Sequence, residues 1–305
     1  MRRFVVRRLL QAPLSLLLVS VVVFVILNVT GDPVTLYLGT EATPQRVAEL
    51  RAQLGLDRSL FVQYLRFLAG VVRGEFGRSL RFDRPATQVV AAYAGPTVKL
   101  GAAGLALALL AGFALGAAAA LRHGGWVDQA ISGVSVLGLS MPSFWLGLML
   151  IVLFAVRLHW LPTSGLEGPW HYLLPAVTLA TFLAPQITLL VRTSLLEVSR
   201  EMYVTTARAK GLPEANILMR HVMRNALPPI IAFVGLQLGT LLGGAVVTET
   251  VFAWPGLGRL TIDSIGQRDI PVVEAAVVLL ALGIVVSNFA ADLVSALVDP
   301  RIRYG

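Results

Sequence analysis

The charged side chains best placed to act together lie in Thr193–Pro229, TSLLEVSREMYVTTARAKGLPEANILMRHVMRNALPP, the longest polar interval after residue 96. Arg208, Lys210, Glu214, Arg220, His221 and Arg224 fall within seventeen residues of one another. Their types and spacing match no catalytic constellation. Reaction chemistry is absent elsewhere as well. There is no G-x-x-x-x-G-K-[ST] phosphate loop, no H-E-x-x-H pair and no G-x-S-x-G elbow. The histidines at 123, 159, 171 and 221 are scattered, and cysteine is absent, which excludes disulfides and thiolate metal sites.

The elements that must position these charges follow from local punctuation. Leu195–Lys210 has helix-forming composition, with Arg208 and Lys210 in the last turn, where cations complement the helix dipole. Gly211 stands where helices favour a left-handed residue. Pro213 fits the opening of a second helix with Glu214 at its positive end. In that second helix Ala215, Leu218, Met219 and Val222 share one face by the i, i+3, i+4, i+7 rule, while Asn216, Arg220 and Arg224 share another. The spacing predicts a helix–glycine–helix hairpin. By spacing alone it reads equally as a solvated basic loop on the inner side of a membrane.

The remainder of the chain is apolar. Of 305 residues 56% are hydrophobic and only 14% charged, and the mean hydropathy is +0.76. A soluble domain carries about 25% charged residues, so the composition implies an all-α integral membrane protein. Six segments reach the roughly 20 residues that cross a bilayer. They lie near residues 9–29, 97–121, 131–156, 172–191, 229–251 and 272–296 of a single membrane domain. Arg2, Arg3, Arg7 and Arg8 ahead of the first span, and Arg122, Arg192, Arg200, Arg208, Lys210, Arg301 and Arg303 in alternate loops, predict that both termini are cytoplasmic. The net charge of +8 is then the mark of inner loops and anionic headgroups, with no base-stacking aromatics to indicate nucleic acid.

Between spans one and two, residues 30–96 form an outer segment with its own helical pattern. Thr43-Pro44 opens one helix, in which Val47, Leu50 and Leu54 repeat up to Gly55. Phe61, Tyr64, Leu65, Leu68 and Val72 make a second stripe closed by Gly74. Small residues recur at Gly101, Gly112, Gly116 and at Gly235, Gly239, Gly243, a spacing that permits close helix approach in lipid or the wall of a passage. Pro142 and Pro185 are expected to kink or loosen spans three and four. Lys99, Glu249, Glu274 and Asp292 could line a pathway, but all lie close enough to span ends to snorkel, the reading favoured here. Gln237 and Asn288 lie deeper, facing either a polar passage or a neighbouring helix.

Several of these stretches resemble one family. TARAKGL followed by RHVMRNALPPII resembles the cytoplasmic "EAA" loop of ATP-binding-cassette importer permeases of the dipeptide/oligopeptide/nickel/glutathione branch. Gly31–Pro33, Gln53–Leu60, Gly74–Leu80, His159–Gly165, Glu249–Leu260 and Asp299–Tyr304 are similar to further stretches of that branch, in the same order. The resemblance implies a type I importer permease fold in a prokaryotic inner membrane. It also implies a second homologous permease, two ATPase subunits holding the ATP and Mg²⁺, and an extracytoplasmic substrate-binding protein. Peptides, glutathione-like solutes or chelated nickel are the expected cargo.

In that family the hairpin couples the permease to its ATPase. The corresponding residues here are Thr205, Thr206, Ala207, Arg208, Ala209, Lys210, Gly211, Leu212, Glu214, Asn216, Ile217, Arg220 and His221. Ala207, Ala209 and Gly211 are small enough to admit a partner's backbone. Where the general motif has Glu-Ala-Ala, this chain has Thr205, Thr206 and Ala207, so no salt bridge can be inferred from that Glu. The competing reading, an ion-coupled secondary transporter, calls for strong midplane charges or visible inverted repeats, and neither is present.

Overall fold

The computed structural model describes residues 13–25, 43–54, 57–79 and 81–298. The terminal arginines, Gly31–Pro33 and Asp299–Tyr304 lie outside them. In chain order the described helices are α1 (Pro13–Val25), α2 (Pro44–Leu54), α3 (Leu60–Arg73), α4 (Ala86–Leu121), α5 (Trp126–Ser140), α6 (Ser143–Arg157), α7 (Pro169–Ser199), α8 (Met202–Ala209), α9 (Glu214–Val251), α10 (Leu257–Gly266) and α11 (Ile270–Val298). No strand occurs among the described residues. Four helices, α4, α7, α9 and α11, are each long and apolar enough to cross a membrane, and the bent pair α5–α6 makes up to five. Of the expected first span, Pro13–Val25 is described.

Contacts divide the chain into two compact units, one built on Val98–Trp254 with the stretch from Val286, the other on Pro255–Val285 with the residues up to Thr97. In the first unit α7 is the central helix, apolar around most of its circumference as a buried span must be. Its Leu183, Ile187, Val191 and Leu195 join Leu100, Ile230 and Leu241 in one core. Pro185 leaves α7 unbroken. Pro142, in contrast, stands between α5 and α6, whose axes differ by 105°. The predicted single helix over 131–156 is therefore two arms. Met141 (φ −88°, ψ 127°) takes the extended backbone that a following proline favours, and Pro142 itself is extended (ψ 131°).

Apolar burial cannot drive association inside lipid, so close approach must. A Cβ at Gly112 would lie 2.6 Å from Ile187 Cγ2, and one at Gly116 2.6 Å from the Thr188 carbonyl oxygen. A Cβ at Gly235 would lie 2.9 Å from that of Ala291. These three glycines pack helices, whereas Gly101 and Gly243 face open space. Because a main-chain oxygen cannot rotate aside, Gly116→Val is expected to cost about 3 kcal/mol, the upper end of ordinary overpacking. Gly101→Ala should be nearly neutral. Thermal midpoints of the two purified variants in detergent test the difference.

In the second unit the loop 74–85 is pinned to the start of α11. The Ser79 hydroxyl donates to buried Asp269, and the Arg81 N–H adds a 3.3 Å bond to the same carboxylate. Gly77 (φ +87°) makes the turn that lets its carbonyl accept from the Ala86 N–H. The GEFGRS stretch thus has a local mechanical use. Ala86, Val89 and Val90 of α4 pack on Leu257 and Leu260 of α10 and on Val272 and Ala276 of α11. Helix α10 is an addition that the short loop after Val251 does not announce.

Candidate functional site: the Gly211 hairpin and its base

The hairpin forms, with its first arm divided. The predicted helix Leu195–Lys210 breaks at Arg200 and Glu201, where Glu201 (ψ 145°) is extended and its carbonyl accepts from the N–H groups of Val204 and Thr205 to start α8. Neither glycine nor proline marks the break. It turns Val204 and Ala207 into the core shared by Leu195 and Ile217, and burial of that pair gives the physical reason for it.

Gly211 (φ +77°) ends α8 as its position predicts. The Gly211 N–H donates to the Arg208 carbonyl at 2.9 Å and the Leu212 N–H to Ala207 at 3.3 Å. This paired closure is the Schellman motif, in which a left-handed residue satisfies carbonyls that the helix end leaves orphaned. Across the turn Arg208 Nε meets Glu214 Oε1 at 2.8 Å. Both side chains are exposed, so the pair orients the turn more than it stabilises it.

The second arm is continuous with a span. From Glu214 to Val251 the chain is one helix of 38 residues, roughly 57 Å at 1.5 Å per residue. Its segment Ile217–Met223 is wound as a π-helix, which shifts the buried face. Ile217, Val222, Ala226 and Ile230 are buried in steps of five, four and four. Of the expected apolar face, Val222 is buried and Leu218 half-buried, but Ala215 is exposed and Met219 is 62% exposed. A widened turn inserts a residue, so a fixed 3.6-residue period loses phase there.

Of the named hairpin residues, Thr205, Thr206, Arg208, Ala209, Lys210, Gly211, Leu212, Glu214, Asn216 and Arg220 are exposed. His221 is half-buried, and Ala207 and Ile217 face the chain's own core. Ala207 therefore offers no room to another backbone. The exposed crest includes large apolar groups as well, with Met202 at 85% and Leu212 at 41% exposed.

The base of the hairpin is held by an ion cluster that charge counting missed. Buried Asp128, in the first turn of α5, accepts from Arg192 of α7 through both guanidinium arms, one at 2.9 Å. The Gly124 N–H (3.0 Å), His123 Nδ1 (3.1 Å) and the Ser132 hydroxyl (3.4 Å) also meet the carboxylate. An acid in a first helical turn is legible in sequence; its partner 64 residues away is not.

Gln237 Nε2 donates to Gln186 Oε1 at 3.1 Å, tying α9 to α7. Asn288 is half-buried. Glu249 departs from the snorkelling expectation, being wholly buried, while Lys99 is exposed and Glu274 and Asp292 are half-buried. Among the described residues no cluster of three metal-ligating side chains occurs.

Comparison with known proteins covers the whole chain. The family described as "Binding-protein-dependent transport system inner membrane component" matches residues 112–304, which include the hairpin, and its N-terminal companion family matches residues 1–85. The chain is 42% identical over 305 residues to the glutathione transport system permease protein GsiC of Salmonella paratyphi A, covering all of both proteins. Identity to the protein of the same name from Escherichia coli K12 is 40%, again over the full length of both. Among solved structures, an inward-facing form of the MetNI methionine ABC transporter superposes with a TM-score of 0.60 at 21% identity, over 70% of this chain and 97% of that one.

Proposed function

Because the chain belongs to the family of binding-protein-dependent transport system inner membrane components, a permease subunit of an ABC importer in the bacterial inner membrane, we propose that it carries glutathione or similarly sized peptides into the cytoplasm. Chelated nickel belongs to the same cargo range. The full-length likeness to proteins named glutathione permeases supports this reading of the substrate. The chain works with a second, homologous permease, two ATPase subunits that bind ATP and Mg²⁺, and an external binding protein. Its six spans keep both termini cytoplasmic and place the hairpin on the inner face.

The observation that carries the mechanism is the stiff lever. A glycine-closed turn with exposed Met202, Leu212 and Lys210 continues directly into a 38-residue helix that forms a span. ATP-driven closure of the ATPases, pressed on Thr205–His221, moves α9 as a rod. The cavity between permeases then opens outward, receives solute from the binding protein, and returns inward after hydrolysis. Ligand and nucleotide drive this cycle only by binding the two states unequally. We assign Gln237 and Asn288 to this route as amide-bearing residues, although one Gln237 amide hydrogen is already used on Gln186.

Reconstitution of the chain with its neighbouring permease, ATPases and binding protein tests the proposal. Uptake of glutathione or short peptides should require both ATP hydrolysis and the binding protein. Accumulation driven by a proton or sodium gradient without ATP would overturn it.

A further inference from the structure

The outer helix α3 carries two apolar faces, and only one of them is used by the fold. Tyr64 and Phe67 pack on Phe24 of α1, with ring centroids 5.3 and 6.1 Å away, and the Tyr64 hydroxyl lies 2.9 Å from Ser20 Oγ. A second stripe, Phe61, Leu65, Ala69 and Val72, spaced four, four and three residues apart, is exposed. Phe61 is 69% and Val72 87% exposed. At 100° per residue this stripe sits about 110° around the helix from the packed face, and Arg66 and Arg73 lie about as far again beyond it. Arg58, Arg66 and Arg73 are exposed, and no acidic residue falls between Arg58 and Arg73. None of the three has an ion-pair partner among the described residues.

The attachment point sets the level of this helix. Ser20 and Phe24 both precede Val29, where the first apolar segment of the sequence ends. The flanks of α1 present Leu14, Leu17, Leu18, Val21, Val22 and Val25 outward, as a lipid-facing span does. A helix fastened beside Ser20 and Phe24 is held inside the polar boundary of the bilayer, not above it. Three sectors of α3 then meet three surroundings: Tyr64 and Phe67 the first span, Phe61, Leu65 and Val72 the acyl chains, and Arg66 and Arg73 the phosphates. That is the arrangement of a basic amphipathic helix lying in a membrane interface, with guanidinium groups suited to phosphate oxygens.

We propose that α3 is an in-plane anchor embedded in the outer leaflet, its Phe61–Leu65–Val72 stripe in acyl chains and its arginines on lipid phosphates. The anchor fixes the outer segment to the bilayer independently of any protein partner. The test uses the native absence of cysteine. Phe61→Cys, Leu65→Cys, Val72→Cys and, as a water-exposed control, Asp83→Cys are labelled with an environment-sensitive fluorophore in the full chain. The labelled chain is reconstituted in phosphatidylethanolamine–phosphatidylglycerol vesicles. All four sites are exposed, so the variants leave the packed core intact.

Positions 61, 65 and 72 should emit at shorter wavelength than 83, be quenched by a nitroxide carried high on a lipid acyl chain, and resist aqueous iodide. Arg66→Glu with Arg73→Glu should shift the Phe61 and Val72 probes toward the Asp83 spectrum. Iodide access equal to that at Asp83 would overturn the proposal. So would shielding that develops only when a binding protein is added, since it would assign the stripe to that protein.

Discussion

Gly211→Val is expected to abolish ATP-driven uptake while the chain still inserts in the membrane. The argument separates strain from overlap. A Cβ at Gly211 would have nothing within 4 Å, yet the backbone there holds φ at +77°. A β-branched residue pays about 1–3 kcal/mol for that conformation, and the turn has no buried core of its own to enforce it. The Schellman bonds from Gly211 and Leu212 then open, and the exposed crest loses its shape. ATPase association should fall by about tenfold or more, since each 1.4 kcal/mol is a factor of ten. Gly211→Asn is the informative companion. Asparagine tolerates the left-handed region and adds a larger side chain in the same open space, so it should keep most association and uptake. Equal loss in both variants would show that bulk, not backbone conformation, matters there.

Asp128→Ala should be the most destabilising single change in the hairpin's base. It strands the guanidinium of Arg192, a side chain that is only 22% exposed, and leaves the Gly124 N–H without its acceptor. Removing one partner of a buried pair costs about 3–5 kcal/mol, because the other charge remains desolvated. The thermal midpoint in detergent should drop sharply and uptake should fall with it, because α7 leads directly into the turn before α8. Adding Arg192→Leu to Asp128→Ala should recover much of the stability, as an apolar pair of similar volume replaces an unmatched charge. If uptake recovers in parallel, the cluster serves as a brace. If stability returns without transport, the charge pair itself takes part in the conformational change. An unchanged midpoint in Asp128→Ala would contradict the buried geometry.

The membrane class, most of the spans and the left-handed turn at Gly211 were legible residue by residue, because each rests on a short-range rule. A run of about twenty apolar side chains must leave water, and glycine takes φ > 0 without the strain a Cβ brings. The end of α3 at Gly74 (φ +71°) follows from the same rule. The TARAKGL and RHVMRNALPPII stretches are legible for the same reason, because each is a run of neighbouring residues.

Distance along the chain marks where that legibility stopped. Pro142 and Pro185 are chemically alike, yet one separates two helices by 105° and the other sits in an unbroken one. The Pro185 ring lies against α5 at Gly138, a contact between segments far apart in sequence. The buried face of the second hairpin arm moved from Met219 to Ile217 because a π-turn changed the phase after Asn216. The break at Glu201 exists because Val204 and Ala207 find a core supplied by α7 and α9. Asp128 met Arg192 only after two helices folded side by side. Local rules specify which residues leave water and where the backbone can turn. Which side of a helix is covered, and which charge finds its opposite, depends on contacts between segments that no short window of residues contains.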